Sequence, residues 1–351
     1  MLSLEDLLKK TLEFGASDLH LTVGIPPTIR KNGRLSTIGE EKLMPSDTEA
    51  YIRSMLNEEQ WKKYQETGEL DLSFSLKGMG RFRVNVYKQR GTCCAAIRMV
   101  NLVIPSVEEL GLPNIVTDMS KKTKGMILVT GPTGSGKSTT LALIINLINQ
   151  NRDCHILTLE DPIEYLHKHN KSIVNQREIG NDSQSYAAAL RAALREDPDV
   201  ILVGEMRDTE TIAIAVTAAE TGHLVLSTLH TIGAANTIDR IIDVFPPYQQ
   251  QQIKVQLSTV IQSVISQQLL PRKDKPGRVP AIEIMVATPA VRNLIREGKT
   301  YQINSQIQTG AKFGMQSMDL SLANLYKKGI ISQEDAMTYA MDPDNIIRYM
   351  G

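Results

Sequence analysis

Leu4, Leu7, Leu8 and Leu12 recur at helical spacing, which predicts an N-terminal helix with one apolar face, and the alternation of Leu19, Leu21 and Val23 predicts a strand after it. Asn32-Gly33 supplies the left-handed residues of a tight hairpin turn. Ser46 followed by Glu49 is a capping-box pattern that opens a helix running to about Trp61, and three strand-like segments then extend to about Val100. In the last part of this region, from Arg81 to Val86, strand alternation sends Phe82, Val84 and Val86 to one face. Arg81, Arg83 and Asn85 go to the other, a polar face able to meet a charged partner. Residues 1–100 therefore read as a small α+β domain.

Between residues 101 and 124, Pro105, Gly111, Pro113 and the basic Lys121, Lys122 and Lys124 interrupt both periodicities, so a linker is expected there. From Gly125 the pattern changes to short, continuously apolar runs: Met126–Val129, Ile156–Leu159, Val200–Val203 and Leu224–Leu226, separated by helix-like stretches. Strands buried on both faces of a parallel sheet with crossover helices have this pattern. Beyond Pro246 the expectation is helical, with a long segment from Gln249 to Leu269 and a final amphipathic helix carrying Met318, Leu322 and Leu325 on one face. The second domain, 125–351, is thus predicted as α/β with a helical C-terminal region.

Composition narrows the function classes. The 351 residues exceed the size at which one core usually keeps growing, in accord with two domains. Lys and Arg (39) balance Asp and Glu (39), and aromatics make up only 5%, which argues against a surface built to track nucleic acid. Cys93, Cys94 and Cys154 form neither a disulfide framework nor a zinc-ligand spacing, so a reducing cytoplasm is the expected setting. Glu5 and Asp6 stand where an export signal needs basic then apolar residues, and no apolar run reaches membrane-spanning length. A protein that is neither exported nor membrane-spanning is expected.

Gly131, Pro132, Thr133, Gly134, Ser135, Gly136, Lys137 and Ser138 match GxxxxGK[ST], between an apolar strand and a helix-forming stretch. Glycines let the backbone curl so that its N–H groups converge on phosphate oxygens, and the helix N-terminus adds a positive dipole end. Lys137 is expected to hold the β- and γ-phosphates of ATP, Ser138 to ligate Mg²⁺, and Thr139 to join them in the nucleotide site. Asp199 to Glu205 is an apolar strand ending in a carboxylate, and Glu205 is the candidate for orienting or deprotonating the attacking water. Gly204 stands where an Asp often precedes such a Glu. The cluster Glu160, Asp161 and Glu164 follows another apolar strand and can supply the missing carboxylate, so Glu164, with Glu160 behind it, is assigned to Mg²⁺ or its water shell. His223 and His230 bracket a third strand; His230, with Ser227 and Thr228, is placed to sense the γ-phosphate, while His223 reads equally as a core residue.

GPTGSGKS, LEDPIEY, VILVGEMRD and HLVLSTLH, in this order, resemble the Walker A, Asp box, Walker B and His box of the secretion ATPase superfamily. NQREIG, ALRAALREDPDVILVGEMRD, TIDRIIDVFP, VRNLIREGKT and MDLSLANLYKKG, with ASDLHL and GRFRVNV, resemble the PilT-type retraction ATPases of type IV pili over nearly the whole chain. The resemblance implies a RecA-like P-loop NTPase domain preceded by a PAS-like domain, and a homohexamer that takes up ATP at subunit interfaces. It further implies a cytoplasmic motor at the inner face of the membrane, working with an inner-membrane platform protein and the pilin machinery at the pilus base. Arginines of a neighbouring N-terminal domain approach the phosphates in the family; Arg81, Arg83 and Arg98 occupy the matching strands. Arg195, Arg207 and Arg240 lie inside family blocks, where they read equally as ion-pair partners. Residues Pro289 to Lys299 resemble a motif the family associates with retraction; periodicity gives only an amphipathic helix with Val291, Leu294 and Ile295 inward. Extension and type II secretion relatives usually carry an extra N-terminal domain and often a tetracysteine zinc module. Neither is seen here, so the resemblance points to retraction, with extension or type II secretion as the alternative. On the P-loop alone, a RecA-like nucleic-acid motor or a regulatory ATP switch stays open.

Overall fold

The computed structural model describes residues 2–31, 33–76, 79–100 and 103–351. The chain divides into two compact units, Met1–Leu102 and Val103–Gly351.

In the first unit Ser3 caps the helix Leu4–Glu13, accepting the Asp6 N–H at 3.1 Å while the Asp6 carboxylate takes the Ser3 N–H at 3.2 Å. Leu7 and Leu8 are fully buried. The strands are β1 (Asp18–Leu21), β2 (Thr28–Lys31), β3 (Arg34–Thr37), β4 (Glu69–Leu76), β5 (Gly80–Gln89) and β6 (Thr92–Met99). Among the described residues they form one antiparallel sheet in the order β3-β2-β1-β6-β5-β4. Lys31 faces Arg34 across the expected hairpin, and Gly33 has a φ of +80°; Asn32 lies outside the described residues. Alternation along β5 is as read from the sequence, with Phe82, Val84 and Val86 buried and Arg83 exposed. The capping box expected at Ser46 is absent. Pro45, whose ring fixes a helical φ, opens the helix Pro45–Met55, and the Asp47 carboxylate takes the Met44 N–H at 2.8 Å. Nor does that helix reach Trp61. Leu56 is extended, and the Asn57 side chain accepts the Gln60 N–H at 2.8 Å to start a second helix, Glu58–Thr67.

The second unit contains β7 (Gly125–Thr130), β8 (His155–Glu160), β9 (Ile173–Glu178), β10 (Val200–Val203), β11 (Leu224–Leu229), β12 (Ile261–Pro271) and β13 (Arg278–Val286). Their order is β13-β12-β7-β11-β10-β8-β9, with every neighbouring pair parallel except the β12/β13 hairpin. The α/β class is therefore as expected, and β7, β10 and β11 are buried along their whole length. Leu141, Ile144 and Ile145 of the helix Lys137–Asn151 cover one face. Leu190, Ile212, Ile238 and Leu257 from four other helices cover the opposite face. Parallel order gathers the loops after β7, β8, β10 and β11 along one edge, where open α/β sheets bind ligands.

Two expectations fail in this unit. From Val103 onward the stretch read as a linker belongs to it, because Leu112, Val116 and Met119 are buried in the same cluster as Ile127 and Val129 of β7. The segment Gln249–Leu269 is not one helix either. The helix Pro247–Val260 ends, and the chain enters β12 beside β7, so the C-terminal region adds two strands to the sheet. Burial on nearly every residue of β12 leaves no alternation to betray a strand. The amphipathic helix expected to be the last is Met318–Lys327, with Met318 and Leu322 buried and Leu325 packed on their cluster, but two further helices, Gln333–Thr338 and Pro343–Met350, follow it.

Candidate functional site

The phosphate loop joins β7 to the helix Lys137–Asn151. Gly131 has a φ of +138°, and a Cβ there would lie 2.1 Å from the Gln267 carbonyl oxygen; Gly136 has a φ of +88° and would meet the Gln267 Nε2 at 3.1 Å. Only glycine fits either position. Pro132, Thr133 and Gly134 are exposed at the loop's tip. The Lys137 Nζ donates to the carbonyls of Gly131 (2.8 Å) and Pro132 (3.0 Å), folding the side chain back over the loop. Burial pulls the Lys137 pKa down, opposed by the charges of Glu164 and Glu205, which both act on it. The Ser135 hydroxyl is buried without a hydrogen-bond partner among the described residues. Such an orphan costs on the order of 1–3 kcal/mol, and a phosphate oxygen in the loop would satisfy it. The loop thus fits the phosphates of a nucleotide.

Ser138 is half-buried in the first helical turn, and the Thr139 hydroxyl shares a 2.9 Å hydrogen bond with the Tyr165 hydroxyl. Tyr165 follows Glu164 on the loop after β8, so this contact ties the acidic loop to the phosphate-loop helix. Glu164 itself is exposed. The Glu160 carboxylate accepts from the Thr158 hydroxyl (2.6 Å) and the Gln176 Nε2 (3.2 Å). Burial raises its pKa, against these bonds and one from the Glu164 backbone N–H. Glu160 therefore holds up the loop that presents Glu164. The Asp161–Pro162 peptide bond is cis. A hydroxyl at Ser138 and a carboxylate at Glu164 match the sparse protein ligation that Mg²⁺ takes when phosphates and waters complete its shell.

Glu205 follows β10. Its Oε2 meets the Arg207 Nε at 2.8 Å and the His230 Nε2 at 3.6 Å, so both contacts fall on one oxygen and Oε1 takes neither. Gly204 is explained by packing: a Cβ would stand 2.8 Å from the Tyr186 hydroxyl and 3.1 Å from the Leu159 carbonyl oxygen. The space an aspartate would need is filled. Burial raises the pKa of Tyr186, and the charges of Glu205, Asp161 and Glu160 add to it, so the phenol is a neutral hydroxyl in this acidic corner.

His230 directly follows β11 on the site's edge, whereas His223 directly precedes the strand at its opposite end, its Nδ1 2.9 Å from the Ala218 carbonyl. Ser227 and Thr228 donate to the carbonyls of Val203 (2.7 Å) and Gly204 (2.6 Å), stitching β11 to β10 rather than reaching toward the loop. The second unit thus brings together Lys137, Glu164, Glu205 and His230. Arg81 and Arg83 stand on β5 in the first unit, where Arg81 donates to the Ser73 hydroxyl at 2.5 Å and Arg83 is exposed. Arg98 is paired with the buried Asp18 at 2.8 Å. Sequence reasoning missed Tyr165, Tyr186 and Gln267. Tyr165 ends the LEDPIEY block without being singled out in it, no motif assigns a role to Tyr186, and Gln267 sits on a strand read as helix. In the helix Pro289–Glu297, Val291 and Ile295 are buried, while Arg292 donates to the carbonyls of Ser258 (2.8 Å) and Thr259 (2.7 Å).

Comparison with known proteins places this arrangement in context. A family model described as type II/IV secretion system protein matches residues 3–336. The chain is 49% identical over 344 residues to the type IV pilus retraction ATPase PilT of Pseudomonas aeruginosa, spanning 98% of this chain and 100% of that one. It is 50% identical over 320 residues to a twitching motility protein of Neisseria gonorrhoeae, spanning 91% of this chain and 86% of that one. The crystal structure of the pilus retraction motor PilT with bound ADP superposes with a TM-score of 0.93 at 50% identity, covering 99% of this chain and 100% of that one.

Proposed function

Because the chain belongs to the family of type II/IV secretion system proteins, we propose that it is an ATPase motor that hydrolyses ATP to drive disassembly and retraction of a type IV pilus, as in twitching motility. The observation that carries this reading is the convergence of Glu164 and Glu205 on Lys137, in a chain alike over nearly its whole length to a retraction motor. The chain acts as a homohexamer on the cytoplasmic face of the inner membrane, against a platform protein and the pilin machinery. No described helix is long and apolar enough to cross a membrane.

The loop N–H groups and Lys137 grip the phosphates, and the Ser135 hydroxyl gains the partner it lacks. Glu205 directs water in line with the γ-phosphate, held by Arg207 and His230 on Oε2 so that Oε1 is left to take the water's proton. Ser138 and Glu164, with Glu160 behind, would hold Mg²⁺, which would neutralise charge on the phosphate oxygens. Arg81 and Arg83 of a neighbouring subunit approach the transferring phosphoryl group, a contribution of about 10³- to 10⁵-fold where arginine fingers have been measured. Loss of the γ-phosphate then releases the closed interface. ATPase activity is measured against protein concentration with size determined in parallel, and Glu205→Gln is mixed with Arg81→Ala/Arg83→Ala. Specific activity should rise with assembly and mixing should restore active interfaces. Concentration-independent activity in a monomer, or no recovery at any mixing ratio, refutes the trans-arginine scheme.

A further inference from the structure

We propose that Gln267 of β12 is a positioning residue for nucleotide binding, a brace that aims the Gly136 N–H of the phosphate loop; the inference rests on the reading of that loop as the ATP site. β12 lies parallel to β7 with Ser266 opposite Thr130, so Gln267 comes level with the first residue of the loop. It is buried, 2% exposed, and both ends of its carboxamide are used. Its Nε2 donates to the Ser135 carbonyl at 2.6 Å, and its Oε1 accepts from the Thr140 hydroxyl at 2.9 Å. A carbonyl can only accept, which fixes the orientation of the amide. Thr140 in turn receives the backbone of the loop, its N–H donating to the Gly136 carbonyl at 3.0 Å. One side chain therefore clamps the loop to the first turn of the helix that follows it.

The consequence follows from peptide geometry. In a trans peptide the C=O of Ser135 and the N–H of Gly136 point in opposite directions. Drawing the carbonyl toward β12 turns the Gly136 N–H away from β12, to the side on which the loop receives phosphate. Of the loop's glycines, Gly131 and Gly136 both lie against Gln267, the first against its backbone carbonyl and the second against its carboxamide Nε2. The closeness of the loop to β12 is thus part of how the loop is shaped.

Three variants of the full-length chain test this: Gln267→Met, which keeps the volume and removes both polar ends; Gln267→Glu, which is isosteric; and Thr140→Val, which releases only the Oε1 end. Affinity for a fluorescent ADP analogue is read beside KM and kcat for ATP and the melting temperature without nucleotide. Gln267→Met should weaken ADP binding and raise KM by about tenfold, the worth of roughly one hydrogen bond to a charged group, with kcat changed far less. Thr140→Val should fall between it and wild type. In Gln267→Glu an ionised carboxylate confronts the Ser135 carbonyl, whereas the protonated acid can donate as the amide does. Its deficit relative to wild type should therefore narrow as the pH is lowered from about 8 to about 6. ADP affinity unchanged in Gln267→Met, or a Gln267→Glu deficit independent of pH, overturns the proposal. Wild type that binds no ADP, or binding that survives Lys137→Ala, instead overturns the nucleotide-site reading.

Discussion

Gly204 is the position at which packing decides chemistry, and the substitution Gly204→Ala measures it. The added Cβ would lie 2.8 Å from the Tyr186 hydroxyl, about 0.6 Å inside an ordinary contact, and 3.1 Å from the Leu159 carbonyl oxygen. The backbone has no room to retreat. The Gly204 N–H is bonded to that same Leu159 carbonyl at 2.7 Å, and its own carbonyl takes the Thr228 hydroxyl at 2.6 Å. Gly204 is not among the positive-φ residues, so no backbone strain enters. Overpacking of this kind costs about 1–3 kcal/mol, and the lower entropy of the unfolded alanine chain returns about 0.4–1 kcal/mol. A net loss of about 1.5 kcal/mol, or roughly 3–6 °C in melting temperature for a unit of this size, is expected by calorimetry. Tyr186→Phe removes the nearer of the two obstacles. In the Gly204→Ala background it should recover about half of the loss, after correction for Tyr186→Phe alone, because the Leu159 contact remains. Gly204→Ala as stable as wild type, or a double variant with no coupling, would refute the argument. An aspartate introduced at this position should lower stability further without raising activity.

Two other outcomes are expected. Arg207→Ala removes a partner whose side chain is 73% exposed, so the melting temperature should barely move, whereas kcat for ATP should fall about tenfold as Glu205 loses its hold; an unchanged kcat would leave the Arg207 contact without a role in the reaction. His167 has its pKa pushed down to about 4 by burial, against about 6.5 in the unfolded chain, so the unfolded state binds more protons between these values. Stability should therefore fall as pH drops from about 6.5 to about 4, by up to about 3 kcal/mol, and urea titrations of His167→Leu should lose that slope.

The chemistry-bearing segments were the legible ones, because each couples an apolar strand to a short polar signal. β7 with its glycine loop, β10 with Glu205 and β11 with His230 announce themselves by a buried run that ends abruptly in glycine or a polar side chain. The segment around Gln267 has no such boundary. Serines and glutamines fall there in short runs between aliphatic pairs on a strand buried on both faces, and it is pairing with β13 and with β7, about 135 residues earlier, that makes it a strand. Local pattern also extended the helix through Leu56 to Trp61, where Asn57 in fact restarts it. Gly204 was legible as a departure from a motif but not as a packing necessity, because Tyr186 and Leu159 reach it from other strands and helices.

The position of β12 also sets a schedule for synthesis. β7 and its loop leave the ribosome long before residues 261–271 exist, and until then one side of a wholly buried strand is an open edge. At ordinary translation rates, roughly 5–20 residues per second, the interval between Ser138 and Gln267 is roughly 6–26 s. During that time the nascent chain exposes an aggregation-prone edge and carries a phosphate loop without its brace. Chains terminated early, before Ile261, would keep both defects permanently, so incomplete synthesis should yield insoluble fragments rather than subunits able to bind ATP and compete for places in the motor.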